Sequence, residues 1–408
     1  MHSLFNPESV AVIGASDNPS KLGFHVMKSL VNGGFKGTLV PVNPGADKIF
    51  GFKVYPSVSA SSIPIDLAIV VVPAKRVSAV FRECAMVNVK GIVLITAGFK
   101  EIDDPAGAVL HEEIARIANG AGIPVIGPNT FGMMNLCANL NASFTPEFSR
   151  LQPGNVALVS QSGGISHLLG FLAMRDGVGF SKIVGLGNRL NVDFAEMVDY
   201  LMEDPDTKVL ALYVEGTDAP KDLLATAKRH GGKKPIVVYK TCSGAVGDAA
   251  ARSHTGSLAG RHEIYTGAFK QAGILAVDST QALLDTSKAL ASCPIPQGPG
   301  MAVLSGQAGP SMAACDVCEK RGLEIVRFSE KNQNQINELL PPLALRTNPV
   351  DMGPAWYDSD AIKGIVQAVM DDEKVQCRGS RGYQRASGGM GTKKTSGELH
   401  SVAAGNLG

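Results

Sequence analysis

SVAVIGAS, residues 9–16, joins an apolar run to a glycine turn, and a helix-like segment follows near Gly23. A buried strand, a tight turn and a helix in this order are typical of the start of a Rossmann-like unit. Such a turn binds phosphate groups, because free backbone N–H groups and the positive end of the helix dipole point at the ligand. The alternative is a glycine turn that merely closes the strand–helix unit.

Similar apolar runs recur along the chain and alternate with amphipathic stretches, as expected for parallel strands covered on both faces. The first cycle predicts strands at 9–13, 38–42, 67–72, 91–95 and 125–126. The second cycle predicts strands at 155–160, 180–185, 209–214, 235–239 and 274–277. A third cycle begins at Met301. The predicted fold class is therefore α/β, a Rossmann-like domain followed by flavodoxin-like domains with parallel sheets.

The predicted domains occupy residues 1–148, 149–293 and 294–375, and the third supplies only part of a usual sheet. The segment 292–300 is rich in proline and glycine and is interpreted as a linker. Residues 376–408 are mainly Gly, Ser, Lys and Arg with almost no apolar periodicity. Because such a segment buries too little apolar surface to offset its ordering entropy, we expect an aberrant, disordered tail.

The composition argues against several classes of protein. With 38 basic and 37 acidic residues among 408, the chain has no broad charged surface for nucleic acid or an anionic membrane. The apolar runs are far shorter than the roughly 20 residues that cross a bilayer, and no secretion signal is recognisable. We expect a cytoplasmic protein with reduced cysteines. The C-x-x-C pair Cys315 and Cys318 is interpreted as two core cysteines one helical turn apart.

The first glycine turn favours CoA over a nicotinamide dinucleotide. A dinucleotide site would have G-x-G-x-x-G and an acidic residue after the second strand, whereas here Asn43 and Pro44 follow that strand. Lys21 in the lengthened turn suits a nucleotide with a ribose phosphate, such as CoA. The predicted CoA-binding residues lie in this turn and in loops after other strands: Gly14, Ala15, Ser16, Lys21, Asn43, Pro44, Val72, Pro73, Ala74, Ala97, Gly98 and Asn129.

A second candidate phosphate loop is SQSGG, residues 160–164, which again follows a strand and opens a helix. Its predicted phosphate-binding residues are Ser162, Gly163 and Gly164. A serine hydrolase is disfavoured, because the nucleophile elbow has the pattern G-x-S-x-G and Ser160 occupies its first position.

His254 stands among small residues after a stretch rich in glycine and alanine, residues 244–251. A neutral imidazole nitrogen is a good nucleophile near pH 7, and a carboxylate on the other nitrogen fixes its tautomer. Glu215, after the strand 209–214, is the candidate for that carboxylate. A lone histidine of this kind is more often a satisfied loop residue, but the glycine loop and Glu215 together favour a catalytic pair. We predict no metal site.

Several motifs jointly resemble one family. They are VAVIGAS (10–16), VNP (42–44), VPA (72–74), GPNTFG (127–132), SQSGG (160–164), GLGNRLNVDF (185–194), YVEG (213–216), SHTGSLAG (253–260) and TNPVDM (347–352). Together they resemble the alpha part of the ADP-forming acetyl-CoA synthetases, relatives of the succinyl-CoA synthetase alpha subunit. The resemblance implies a CoA-binding Rossmann-like domain followed by succinyl-CoA synthetase-like flavodoxin domains.

The resemblance also implies a reaction. Acyl-CoA, ADP and phosphate would give the free acid, CoA and ATP through an acyl phosphate and a phosphohistidine at His254, which Glu215 orients. The nucleotide and Mg²⁺ would lie on an ATP-grasp domain, which the sequence does not contain in recognisable form, so a beta subunit or domain and an oligomer are implied. The alternatives are the CoA-binding portion of a protein acetyltransferase and a non-catalytic sensor of CoA or acyl-CoA.

Overall fold

The computed structural model describes residues 1–242, 262–294, 296–342 and 345–376. It divides the chain into two units, Met1–Ala291 and a second that begins at Ser292. No helix within these ranges is both long enough and apolar enough to cross a membrane.

The first sheet is built from the apolar runs of the first cycle. Its strands, with one short hairpin, are β1 Ser9–Ile13, β2 Thr38–Val42, β3 Lys48–Ile49, β4 Phe52–Lys53, β5 Leu67–Val70, β6 Gly91–Leu94 and β7 Val125–Ile126. Its helices are α1 His2–Phe5, α2 Leu22–Gly33, α3 Ala74–Met86 and α4 Pro105–Gly120. The strand order is β2-β1-β5-β6-β7, all parallel, and β3 and β4 pair separately as an antiparallel hairpin. All five residues of β1 are buried, as expected for an inner strand of a doubly covered sheet.

The second sheet has seven strands in the described part of the chain. They are β8 Gly132–Asn135, β9 Leu140–Ser143, β10 Pro153–Ser160, β11 Phe180–Gly185, β12 Val209–Val214, β13 Ile236–Lys240 and β14 Leu275–Val277. Its helices are α5 Gly163–Asp176, α6 Phe194–Glu203, α7 Pro220–Arg229, α8 His262–Gln271 and α9 Thr280–Ser292. The order is β14-β13-β12-β10-β11-β8-β9, in which β10 to β14 are parallel and β8 is antiparallel to β11.

The parallel α/β class predicted from the sequence is confirmed. The hairpin of β8 and β9 was not predicted, and it places two strands from before residue 148 in the second sheet. A hydrophobic core is also shared by the two sheets: it contains Val12 of β1, Met27 of α2, Leu140 of β9 and Val159 of β10. Both sheets therefore belong to one packed unit, and the boundary at residue 148 stays a prediction.

Among its described residues, the second unit contains four short strands, β15 Gly300–Met301, β16 Leu304–Ser305, β17 Glu324–Ile325 and β18 Val350–Asp351. Strand β15 pairs with β17 and β16 pairs with β18, both in parallel. The helices are α10 Ala308–Lys320, α11 Glu330–Leu339 and α12 Ser359–Met370. The predicted tail lies outside the described residues from position 377 onward, whereas Gln376 donates its backbone N–H to the carbonyl of Gly300.

Cys315 and Cys318 lie on α10, and the structure corrects their interpretation as core residues. Both are partly exposed, and the buried residue of this helix is Ser311. The helix presents little of its surface to the hydrophobic core of the second unit, so spacing by one turn did not place the thiols inside.

Candidate functional site

The first cavity, of about 640 Å³, lies at the carboxyl ends of β1, β2 and β5. Ligands of open parallel sheets bind at this edge, outside the carboxyl ends of the strands. Nine of the predicted CoA-binding residues line it: Gly14, Ala15, Ser16, Lys21, Asn43, Pro44, Val72, Pro73 and Ala97. The fold therefore brings most of this predicted set together.

Two glycines shape the turn at the floor of the first cavity. Gly14 has φ +96°, in the region that favours glycine, and a Cβ there would lie 2.9 Å from the carbonyl oxygen of Val71. A Cβ on Gly23 would lie 1.9 Å from the carbonyl oxygen of Gly14. Helix α2 thus begins directly against the turn. Asn43 fixes the far side, because its Nδ2 donates to the carbonyl of Ala15 over 2.8 Å.

The charges around the first cavity suit an anionic ligand. Helix α2 has no side-chain cap at its N-terminus, so its first N–H groups remain available to an anion. Lys21 and Arg76 line the cavity, and neither forms an ion pair with another residue in the described ranges. The acidic residue of the lining, Glu83, accepts hydrogen bonds from the backbone and hydroxyl of Ser59. Burial would raise the pKa of Glu83, but these bonds hold it below its usual value.

The second cavity, of about 480 Å³, lies beside the first, and Leu22 and Ala97 line both. Its polar lining comes mainly from loops after β7, β10, β11 and β12: Asn129, Gln161, Ser162, Gly163, Gly164, Asn188 and Glu215. The predicted phosphate loop and the predicted orienting carboxylate are therefore brought together. The rest of the lining is largely apolar, with Ile95, Phe131 and Phe144 among its side chains.

The N-terminus of α5 supplies hydrogen-bond donors to the second cavity. Ser162 is the N-cap residue, and its hydroxyl accepts from the backbone N–H of Ile165 over 3.4 Å. The preceding N–H groups, of Gly163 and Gly164, have no acceptor inside the helix. A Cβ on either glycine would meet no described atom closer than 3.9 Å, so neither glycine is packed tightly against its surroundings.

Gln161 connects this helix to the loop that carries Glu215. Its Oε1 accepts from the backbone N–H of Glu215 over 3.0 Å and from that of Gly216 over 3.1 Å. Gln161 is 4% exposed, and its Nε2 is buried without a hydrogen-bond partner in the described part of the chain.

His167 also lines the second cavity, but its ring is held by the protein. One nitrogen, Nδ1, lies 2.8 Å from the carbonyl oxygen of Gly163, which can only accept, so Nδ1 donates. The other, Nε2, lies 2.6 Å from the hydroxyl of Thr145. The ring also packs against Phe131, Phe144 and Phe148. These contacts support packing and positioning of the α5 N-terminus.

Polar contacts join the loop after β6 to loops of the second sheet. Glu101 accepts from the backbone N–H of Gly98 over 2.5 Å and from Nδ2 of Asn188. Burial would raise the pKa of Glu101, and these bonds lower it below its usual value. Arg189, with 2% of its side chain exposed, pairs with Asp193 and Asp218 over 3.1 Å each. The loop after β6 is therefore tied, through Glu101 and Asn188, to a loop that lines the second cavity.

His254 lies in the segment 243–261, outside the described residues. The preceding strand does have a defined position: Lys240 of β13 is in register with Val214 of β12. The last described strand before this segment therefore lies beside the strand that ends next to Glu215.

Three predicted residues do not line the first cavity. Asn129 lines the second cavity, and Ala74 and Gly98 line neither of the two. Arg76 and Gln161 are among the lining residues that the sequence analysis did not predict. Arg76 reads as a solvated position of a helix, and Gln161 stands inside the quoted SQSGG motif without a sequence signal for its own role.

Two family models match consecutive parts of the first unit. A CoA binding domain matches residues 8–135, and a succinyl-CoA ligase-like flavodoxin domain matches residues 153–290.

Relatives with known names extend over more of the chain. The acetate–CoA ligase (ADP-forming) II subunit alpha of Pyrococcus furiosus is 40% identical over 349 residues, which are 85% of this chain and 75% of that protein. The 4-hydroxybutyrate–CoA ligase (ADP-forming) of Nitrosopumilus maritimus is 35% identical, and the match spans 91% of this chain but 53% of that protein. The chain thus spans about half the length of that relative.

A solved structure matches at the same level. It is the dinucleotide-forming acetyl-coenzyme A synthetase 1 of Ca. Korarchaeum cryptofilum in complex with phosphate and ADP, with a TM-score of 0.86 and 37% identity. The match covers 92% of this chain and 80% of that chain. With this identity and coverage, the chain belongs to the family of the ADP-forming acetate–CoA ligases, in which it corresponds to the alpha subunit.

Proposed function

We propose that this chain carries out the CoA-dependent half of an ADP-forming acid–CoA ligase reaction and is phosphorylated on His254. The observation that supports this most is the adjacency of two anion-compatible cavities in one unit. One has the glycine turn with Lys21 and Arg76, and the other has the α5 N-terminus with Glu215. Their shared lining would let a thioester at the end of a bound CoA reach a bound phosphate.

In the proposed first step, a phosphate oxygen attacks the thioester carbonyl in the second cavity. The carbon–sulfur bond breaks, the acyl phosphate forms, and the sulfur leaves as the CoA thiol. The backbone N–H groups of Gly163 and Gly164 would hold the phosphate, because helix N-termini stabilise anions. The apolar lining near Phe131 and Phe144 would face the acyl group.

In the second step, a ring nitrogen of His254 attacks the phosphorus of the acyl phosphate, and the carboxylate leaves as the free acid. Glu215 would hold the other ring nitrogen, which fixes the tautomer and stabilises the imidazolium that develops. The support for this pairing is the motif around His254 and the position of Glu215 at the second cavity, next to the strand that leads into the segment 243–261.

In the third step, the phosphohistidine gives its phosphoryl group to ADP. We propose that ADP and Mg²⁺ are held by an ATP-grasp beta subunit or domain, and that the working enzyme is an oligomer that includes it. The support is the alpha-subunit name of the Pyrococcus furiosus relative and the ADP in the matched solved structure. A cytoplasmic location remains part of the proposal.

The first two steps are tested by release of the CoA thiol from acyl-CoA, followed with a thiol reagent in a stopped-flow instrument. The purified chain should release CoA in a burst that requires phosphate and does not exceed one thiol per chain. Glu215→Gln should keep the same affinity for CoA but lower the amplitude of the burst. The uncharged amide stabilises the imidazolium less, so the second step draws less acyl phosphate away from the reversible first step. Thiol release that ignores phosphate would contradict the proposal.

A further inference from the structure

We propose that Gln161 is a phosphate-binding and positioning residue, whose carboxamide links the anion of the second cavity to the loop that carries Glu215. This inference rests on the proposed function, because it concerns the same phosphate. Gln161 would add a side-chain donor to the backbone donors of α5. Its second role would be to hold the loop that carries Glu215.

The orientation of the Gln161 carboxamide is fixed by its partners. Two backbone N–H groups, those of Glu215 and Gly216, point at one atom of the amide, which must therefore be the oxygen Oε1. The backbone N–H of Gln161 itself donates to the carbonyl of Tyr213 over 3.2 Å. Main chain and side chain are both tied to the end of β12, so the Nε2 group has little freedom to turn elsewhere.

The same orientation leaves Nε2 as a buried donor with no acceptor in the described part of the chain. Buried polar groups are normally paired, since an unpaired one loses its bonds to water without replacement. Gln161 lines the second cavity together with Gly163 and Gly164. An anion bound at the α5 N-terminus would supply the missing acceptor.

Phosphate suits this arrangement because its oxygens accept several hydrogen bonds in different directions. The α5 N–H groups would take some of them and Nε2 another. Since the amide is neutral, it adds a directed contact without a further charge beside Glu215. One carboxamide would then donate to the phosphate and accept from the Glu215 loop, so anion binding and the position of Glu215 depend on the same side chain.

The test is calorimetric titration of the full chain with inorganic phosphate, with CoA titrated in parallel. Gln161→Met removes the donor and the acceptor at similar size. Gln161→Glu keeps the acceptor and replaces the donor with a negative charge. Gln152→Glu, at an exposed position near the start of β10, is the matched control. Thermal unfolding of each variant shows whether it is folded. If Gln161→Glu does not fold, the test rests on Gln161→Met.

We expect the affinity for phosphate to fall at least about tenfold in Gln161→Met, the loss typical of one hydrogen bond to a charged group. It should fall further in Gln161→Glu and stay within about twofold of wild type in Gln152→Glu. The affinity for CoA should be unchanged in all three variants, which a general structural defect would not allow.

The possible failures are distinguishable. If wild type binds phosphate and both Gln161 variants bind it equally well, this inference is overturned and the proposed function stands. If the variants lose phosphate and CoA together, Gln161 is structural and the inference is likewise overturned. If wild type binds no phosphate, both the inference and the phosphate site of the proposed function fail.

Discussion

Gly23→Ala is expected to damage the first cavity and the stability of the first unit together. The added Cβ would lie 1.9 Å from the carbonyl oxygen of Gly14 and 2.9 Å from its carbonyl carbon. Both are backbone atoms, so the turn and α2 must separate by about 1.5 Å to restore ordinary contact. Overpacking of this kind costs about 1–3 kcal/mol, and the better helix propensity of alanine returns only about 0.5–1 kcal/mol.

We therefore predict a net destabilisation of about 1 kcal/mol and a fall in melting temperature of about 2 °C. The N–H groups of the turn move with the backbone, so the affinity for CoA should fall at least about tenfold. Gly120→Ala is the matched control, because Gly120 ends α4 and a Cβ added there would meet no described atom within 4 Å. Calorimetric unfolding measures the stability of each variant, and CoA titration measures its affinity. If Gly23→Ala is as stable as wild type and binds CoA as tightly, this account of the turn is refuted.

Two further predictions concern charge. Burial, reinforced by the charge of Lys100, lowers the pKa of His111 to about 4. As the pH drops, His111 therefore becomes protonated in the unfolded chain before it does so in the folded chain. The free energy of unfolding falls accordingly between about pH 6.5 and pH 4. Because His111 is partly exposed, the effect should be smaller than the full pKa shift implies. Wild type should lose about 1–2 kcal/mol more free energy of unfolding between pH 7 and pH 4.5 than His111→Phe, as measured by urea unfolding. An equal loss in both proteins would contradict this. Lys21→Ala and Arg76→Ala should each weaken CoA binding about tenfold, and Lys75→Ala, which removes an exposed charge outside the cavity lining, should not. Parallel titration with 3′-dephospho-CoA shows which of the two cations contacts the ribose phosphate, and unchanged CoA affinity in both variants would argue against this cavity.

The buried strands were predictable because their sequence signal is local. Strands β1, β2, β11 and β12 have the predicted bounds, since each is rich in apolar residues and lies between turns. The hairpin of β8 and β9 carries no such signal. Asn135 and Asn141 interrupt its apolar residues, and its place in the sheet depends on pairing of β8 with β11, about 50 residues further along the chain.

The site was predictable where it follows strand ends and less so where side chains meet across the fold. Asn129 follows β7, which is three strands away from β1, or about 14 Å at the usual spacing, so it lines the second cavity instead of the first. The partners of Gln161 lie 54 and 55 residues along the chain. A motif identifies such a residue but does not show where its amide points.

The most direct test of the central claim is mass spectrometry of the intact chain after incubation with phosphate and a panel of acyl-CoAs, under neutral conditions that preserve phosphohistidine. We predict one phosphoryl group on His254 with at least one acyl-CoA, which would also identify the acid. His254→Ala should lack the adduct and bind CoA as wild type does. An unmodified His254 with every acyl-CoA, also when a beta partner is supplied, or an adduct that persists in His254→Ala, would contradict the account.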